Sequence, residues 1–94
     1  METLRITDSE AKGQLRARLA RIEGQIRGLQ EMIEREGDFE QIAQQTAAVR
    51  MALHKFFAEM IADELRAVEA AKNMSAEARH ARWAALVNIL SKYA

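Results

Sequence analysis

The chain has 94 residues, no cysteine and no proline, and its 14 basic and 14 acidic side chains give a formal net charge of zero. Without cysteine there is no disulfide, no thiolate metal site and no thiol nucleophile, and a neutral chain is not a generic polyanion binder. The sequence has no apolar signal segment and no apolar run approaching membrane-spanning length, so we expect a single cytoplasmic domain without a membrane partner.

The first predicted helix covers about residues 8–36. Thr7-x-x-Glu10 has capping-box spacing, and Asp8 or Ser9 are alternative N-caps. Gly37 is predicted to supply the left-handed residue that ends the helix. The apolar residues alternate steps of four and three, which predicts one continuous stripe consisting of Leu15, Leu19, Ile22, Ile26, Leu29 and Ile33.

Two further helices follow. Asp38 is the predicted N-cap of a helix over about 39–72, and Ser75 is the predicted N-cap of a helix over about 75–93. The predicted buried face of this third helix consists of Trp83, Leu86, Val87, Leu90 and Tyr93.

The lengths of the first two helices predict self-association. Joined by so short a turn, helices of roughly 42 and 50 Å must form an antiparallel hairpin. One side of each apolar stripe then stays uncovered, and the third helix is too short to cover it. We therefore expect an oligomer, with a four-helix bundle as the simplest form.

A group of basic and polar residues is a candidate nucleic-acid surface. Arg18, Arg21 and Gln25 lie three and four residues apart and share one helical face, whereas Arg27 is offset from it. Arg50 and Lys55 follow on the second helix. Such arginines are most often only solvated, but the guanidinium group also fits phosphate with two hydrogen bonds, so nucleic acid is the main functional alternative.

Gly24 and Gly28 lie inside the first helix, where each costs about 1 kcal/mol relative to alanine. Close packing between helices is the simpler explanation, and a close approach of another chain or of a DNA backbone is the functional one. The two histidines, His54 and His80, form no zinc-binding motif, so we predict no metal and no cofactor. No pair of carboxylates stands out as a general acid and base, so we predict no enzymatic activity.

Two strings of the sequence resemble a known family. RLARIEGQIRGLQEMIE, from Arg18 to Glu34, closely resembles the first-helix signature of the copper-, nickel/cobalt- and formaldehyde-sensing repressors (the CsoR/RcnR/FrmR family), and QQTAAVRMALHK, from Gln44 to Lys55, continues the match. The stretch from Ser75 to Tyr93 resembles the longer third helix of the nickel/cobalt and formaldehyde branch. The resemblance covers about residues 12–93.

The resemblance implies an all-α fold of three helices per chain. The long hairpins form a dimeric four-helix bundle, and the dimers assemble into a tetramer, a dimer of dimers. Members are repressors without a helix-turn-helix, and an effector weakens their binding to double-stranded operator DNA. Arg18 and Arg21 match the DNA-contacting arginines of the family. The supporting candidates are Gln25, Arg27, Arg50 and Lys55.

The sensor site of the family is not retained. Its cysteine corresponds to Phe39, its histidine to Glu64 and its last ligand to Val68, and Glu2-Thr3 replaces the N-terminal histidine or proline. Phenylalanine and valine have no lone pair suited to a metal, so copper, nickel and cobalt sensing at the usual site is contradicted. We expect an effector other than a cysteine-bound metal at these substituted pocket positions.

Four interpretations remain open from the sequence. The chain is a repressor that responds to another small molecule, a sensing-defective paralogue that acts constitutively or through partner exchange, or a helical oligomer used only for protein interaction. The distant fourth is an all-α enzyme of the chorismate mutase kind, which would also use long amphipathic helices and buried arginines.

Overall fold

The computed structural model describes residues 3–94, so Glu2, one of the residues at the substituted sensor site, lies outside the described residues. The helices are α1 (Ser9–Glu34), α2 (Phe39–Ala70) and α3 (Ala76–Tyr93). Residues 3–94 form no β-strand, and the all-α prediction with three helices is confirmed. Each predicted boundary lies within two residues of the observed one.

Each helix begins at a side chain that caps it. Asp8, Asp38 and Ser75 accept a hydrogen bond from the backbone N–H three residues further on, at 2.9, 3.1 and 3.0 Å. Each bond satisfies one of the free N–H groups of a first turn, which is why short acceptor side chains are favoured there. Of the three alternatives at the first helix, Asp8 is therefore the N-cap, and Thr7 is not.

The turn between α1 and α2 differs from the prediction. The left-handed residue is Glu36, with φ of 55°, and Gly37 has a negative φ. The N–H of Gly37 donates to the carbonyl of Met32 at 2.8 Å, and that of Glu36 donates to Ile33 at 3.1 Å, which is a Schellman motif. The prediction for Gly37 is wrong by one position. Glycine is favoured at position 37 because a Cβ there would lie 3.0 Å from the Met32 carbonyl oxygen, which is tighter than most such contacts.

Replacing Glu36 with glycine is expected to raise the free energy of unfolding by about 1 kcal/mol, because a left-handed non-glycine residue costs roughly 1–2 kcal/mol. Urea unfolding measures the change. The control is Glu31→Gly, an exposed position inside α1, which should lower the free energy of unfolding by about 1 kcal/mol. If both variants are less stable than the parent, the strain assigned to Glu36 is absent.

The apolar stripe of α1 divides into two rows. Leu15 and Ile22 are buried against α2 and Leu29 is half-buried. The alternate residues Leu19, Ile26 and Ile33 are 38, 43 and 65% exposed. One row therefore closes the hairpin, and the other remains uncovered, as the length argument predicted.

Within a single chain, most of the predicted buried face of α3 is exposed. Leu86 is buried with Ala85, but Trp83, Val87 and Leu90 are exposed, as is Tyr93 at 71%. The apolar periodicity of α3 marks these positions correctly as one stripe, but it does not show which side of α3 meets α2. The side that meets α2 carries Ala85 and Leu86, together with Arg79 and Arg82, whose contacts with α2 are described below.

The chain is long and thin. Its extents are 57 × 27 × 16 Å and its radius of gyration is 17.6 Å, against about 12 Å for a compact domain of this length. Its surface area is 7319 Å², about a third larger than the roughly 5,500 Å² of a compact monomer of 10.6 kDa. A chain that leaves so much surface exposed would gain stability if part of it were buried against other copies.

Candidate nucleic-acid interface and effector site

Four of the six predicted DNA-binding residues line one shallow cleft between α1 and α2. The cleft has a volume of about 130 Å³, and its lining includes Arg18, Arg21, Gln25 and Lys55. The three α1 residues share a face because they are three and four positions apart, and the antiparallel hairpin brings Lys55 of α2 alongside them. We call this group of four residues the basic cleft.

The charges of the basic cleft are not neutralised within the chain. Arg21 and Lys55 are exposed and Arg18 is half-buried. The salt bridges among residues 3–94 are formed by Arg66 and Arg82 and by none of these bases. Three cationic groups around one concave surface produce a positive potential that attracts a polyanion, even though the whole chain is neutral.

The structure does not bring Arg27 or Arg50 to the basic cleft. Arg27 lies nine residues after Arg18, which places it about half a turn around α1, and it is exposed there. Arg50 lines a separate groove with Ile33 and Phe39. These two supporting candidates are therefore separated from the other four in one chain.

Gly24 and Gly28 are not explained by packing within the chain. A Cβ built on either residue meets no atom within 4 Å outside its own helix backbone, so the simpler prediction of close helix packing is wrong for a single chain. Gly24 and Gly28 follow Arg21 by three and seven residues. This spacing places them on the same side of α1 as Arg21, so they adjoin the basic cleft. The backbone of α1 is open to a close approach on this side.

The three substituted sensor positions do not form one pocket within a chain. Phe39 is 88% exposed at the first turn of α2. Glu64 lies 25 residues further along the same helix, about 37 Å away at 1.5 Å per residue. The side chain of Val68 belongs to the core and is 2% exposed. A pocket made of all three would need a second chain.

Glu64 is bound by an arginine that the sequence analysis did not single out. Arg82 of α3 donates from Nε to Oε2 of Glu64 at 3.1 Å and also donates from its terminal nitrogen to the same oxygen. The two side chains are 27 and 14% exposed, so the pair is partly buried and its charge-assisted bonds are of the stronger kind. The position that the resemblance assigns to the sensor histidine thus holds an ion pair between α2 and α3.

A second arginine of α3 donates hydrogen bonds to backbone carbonyl groups at the C-terminal end of α2. Arg79 donates to the carbonyl oxygens of Val68 and Ala71, the latter at 2.9 Å. These carbonyls belong to the last turn and the C-cap of α2, where no intrahelical donor remains and a positive charge suits the helix dipole. Arg79 and Arg82 are three residues apart on one face of α3, and that spacing was the available signal for their shared role.

Asp63, beside Glu64, is also partly buried. Its Oδ1 accepts from Arg66 at 2.6 Å, and Arg66 also donates to Glu59 at 2.8 Å. Two hydrogen bonds raise the pKa of the exposed Arg66 guanidinium above its ordinary value. The bond to Asp63 has the larger effect, and the bond to Glu59 has the smaller one. The second oxygen of Asp63, Oδ2, is buried and has no hydrogen-bond partner.

An apolar cavity lies between the N-terminal segment, α2 and α3. Its volume is about 230 Å³, and it adjoins a smaller polar cleft of about 50 Å³ that contains Asp63 and Arg82. Glu64 lines both spaces. The lining of the cavity consists of Leu4, Arg5, Ile6, Met60, Ile61, Glu64, Leu86 and Ile89.

Residues 3–94 contain no group of three or more histidine, cysteine or acidic residues placed to hold a metal ion. Among the same residues, no helix is both long enough and apolar enough to cross a membrane.

Comparison with solved structures finds a similar chain of the same architecture. The formaldehyde-responsive regulator FrmR, E64H variant, from Salmonella enterica serovar Typhimurium superimposes with a TM-score of 0.81 at 28% sequence identity. The match covers 95% of this chain and 100% of that one. A search of curated proteins found no match.

The sequence model of a family described as metal-sensitive transcriptional repressor matches residues 11–92. This match covers most of the chain and confirms the resemblance inferred from the two signature strings. Its members are transcriptional repressors rather than enzymes, so the alternative of a chorismate mutase-like enzyme is wrong. The chain belongs to the family of metal-sensitive transcriptional repressors.

Proposed function

We propose that the chain is a repressor that binds operator DNA through the basic cleft and is released by an effector other than a cysteine-bound metal. The observation that carries the DNA-binding part is the convergence of Arg18, Arg21, Gln25 and Lys55 on one surface without salt-bridge partners. Arginine and lysine side chains on such a surface neutralise phosphates and release counterions, which drives association with DNA.

The open backbone beside the basic cleft supports the same proposal. Gly24 and Gly28 leave room for a phosphate backbone to approach α1 more closely than a side chain would allow. Arg27 and Arg50 are removed from this surface within one chain, so we assign the contact to the basic cleft and not to all six predicted residues.

The uncovered apolar surface of the hairpin supports a dimer. Leu19, Ile26 and Leu53 line one groove, and Ile33, Phe39 and Ile42 line another further along the hairpin. We call these six residues the apolar face. A second hairpin placed on the apolar face would complete an antiparallel four-helix bundle, in which helices pack at small angles around an apolar core. The exposed stripe of Trp83, Val87 and Leu90 on α3 is the proposed contact for a tetramer.

The effector site is proposed to lie at Glu64. A two-fold axis near the middle of α2 would carry Phe39 of one chain toward the Glu64 end of the other, which is how the three substituted positions could share a pocket. Because Phe39 has neither a thiol nor a metal-binding lone pair, the chemistry at this site is not that of a thiolate.

A mobility-shift experiment tests the proposed function. The full chain is incubated with the DNA upstream of its own gene and with unrelated DNA of equal length. We expect specific binding that weakens steeply as salt is raised and that is unchanged by copper(I), nickel, cobalt or zinc. Equal binding to both DNAs, or no binding, would favour the protein-interaction module. A metal that releases the DNA would contradict the prediction that the chain binds no metal.

A further inference from the structure

We propose that the apolar cavity between the N-terminal segment, α2 and α3 is filled by Phe39 of a second copy of this chain, whose acidic turn then meets Arg5 at the rim of the cavity. We call this cavity the Phe39 socket. The inference rests on the dimer of the proposed function. It goes beyond that dimer because it names the side chain that each copy inserts into the other.

Phe39 is the most exposed of the large apolar side chains among residues 3–94. It is 88% exposed at the first turn of α2, against 71% for Tyr93 at the end of α3. A buried aromatic side chain removes roughly 150–250 Å² of surface from water, and the chain itself provides little of that burial for Phe39. A contact with another copy that buries the ring is therefore favourable.

The Phe39 socket has the size and the lining that suit one aromatic ring. Six of its eight lining residues are aliphatic or methionine. Its volume is about 230 Å³, and an apolar cavity of roughly 150 Å³ is large enough to bind benzene. Its charged lining residues are Arg5 and Glu64, and Glu64 is already paired with Arg82. The socket therefore favours an uncharged apolar group over a charged one.

The geometry of α2 allows each copy to fill the socket of the other. Phe39 lies 25 residues before Glu64, which lines the socket, and at 3.6 residues per turn the two lie within about 20° of the same side of the helix. A two-fold axis level with residues 51 and 52, midway between them, exchanges their positions in an antiparallel pair. Because such a contact is self-complementary, both sockets are filled at once.

The distribution of charge favours this antiparallel orientation. Glu36 and Glu40 flank Phe39 and are exposed, and Arg5 is exposed at the rim of the socket. None of these three residues forms a salt bridge within residues 3–94, and the carboxylates that line the adjoining cleft with Arg5 are engaged by other groups. An antiparallel pair brings the acidic turn to Arg5, whereas a parallel pair would place two acidic turns side by side.

A filled socket changes how an effector can act at Glu64. In the dimer the ring of Phe39 occupies the apolar space, so an effector has to displace the ring or bind in the small polar cleft beside it. Displacement of the ring opens a contact between the two copies. The effector site and the assembly are therefore coupled.

Disulfide trapping tests the contact in a chain that has no cysteine of its own. The variant carries Phe39→Cys and Ile6→Cys, at two exposed positions of which the second lines the socket. A disulfide requires Cα atoms within about 7 Å of each other. Within one chain, α2 rises about 33 Å between Phe39 and Ile61, which lines the same cavity as Ile6. The bond can therefore form only between two copies.

We expect mild oxidation of the double variant to give a covalent dimer of twice 10.6 kDa that reduction separates. Each single variant is a control, because the two-fold axis keeps the two copies of position 39 at opposite ends of the pair, and likewise those of position 6. Absence of the covalent dimer in the double variant would overturn the proposal. A disulfide formed by Phe39→Cys alone would also overturn it, since it indicates a parallel pair.

Replacing Phe39 with alanine tests whether the ring occupies the socket. We expect benzene to bind Phe39→Ala, with saturable shifts at Met60 and Leu86 in two-dimensional NMR, because an emptied apolar cavity accepts a ring of the size that was removed. The parent should not respond. The matched control is Ile33→Ala, which removes another exposed apolar side chain of the apolar face that does not line the socket, and it should behave like the parent. Equal binding by all three chains, or no binding by Phe39→Ala, contradicts a socket filled by Phe39.

The mass of the parent separates this inference from the proposed function. A parent that sediments as single chains overturns the proposed dimer and the filled socket together. A parent that sediments as a multiple of one chain, while the double variant forms no disulfide, overturns the filled socket alone. Neither measurement uses DNA, so a chain that ignores its upstream DNA contradicts the repressor proposal and leaves the socket intact.

Discussion

Replacing Arg21 with alanine is expected to weaken binding to the operator by at least about tenfold and to lower its salt dependence. Arg21 is exposed in the basic cleft and forms no salt bridge there, so the substitution removes a phosphate partner without opening a cavity. A charge-assisted hydrogen bond contributes about 1.5–3 kcal/mol, and each lost phosphate contact lowers the slope of log affinity against log salt by about 0.9. Fluorescence anisotropy at several salt concentrations measures both effects.

Arg27→Ala is the matched control for this prediction. It removes the same side chain from the same helix, but from the side away from the basic cleft, so we expect less than a threefold change in affinity. Lys55→Ala, on the α2 side of the cleft, should behave like Arg21→Ala. If Arg27→Ala weakens binding as much as Arg21→Ala does, the DNA-binding surface extends around α1 and the basic cleft is not its centre.

The sequence predicted the features of this fold that depend on neighbours along the chain. Asp8, Asp38 and Ser75 cap their helices through bonds that span only three residues, and the shared face of Arg18 and Arg21 follows from helical spacing alone. The position of Lys55 beside them depends on the register of the hairpin. It could be anticipated from the short turn, although only the three-dimensional structure shows the two groups in one cleft.

The predictions from the sequence are wrong where the structure depends on contacts between residues far apart in the chain. The exposed stripe of α3 was predicted to be buried because the periodicity of one helix does not show which of its sides faces α2. In the structure, Arg82 on that side bonds to Glu64 and Arg79 bonds to carbonyls at the end of α2. The separation of Phe39 from Glu64 is different, since 25 residues of continuous helix already require about 37 Å. That distance was available from the sequence, and it shows that a pocket holding both residues belongs to an assembly.

Replacing Ile26 with glutamate is expected to dissociate the assembly into single chains. Ile26 is 43% exposed in the chain and lies at the centre of the exposed row of α1, between Leu19 and Ile33. In a four-helix bundle built on the apolar face this position is buried in every copy, and an unpaired buried carboxylate costs several kcal/mol. Sedimentation equilibrium should then give a mass near 10.6 kDa, where the parent gives a multiple of it.

Thermal unfolding provides a second measure of the same change. Because association stabilises the folded chain by mass action, the unfolding midpoint of the parent should rise with protein concentration, and that of Ile26→Glu should be lower and independent of concentration. The control is Gln44→Glu, which adds the same charge at an exposed position of α2, half a turn away from Leu53. It should keep the mass of the parent. An Ile26→Glu variant that also keeps that mass would place the contact between copies elsewhere, with the stripe of α3 as the next surface to alter.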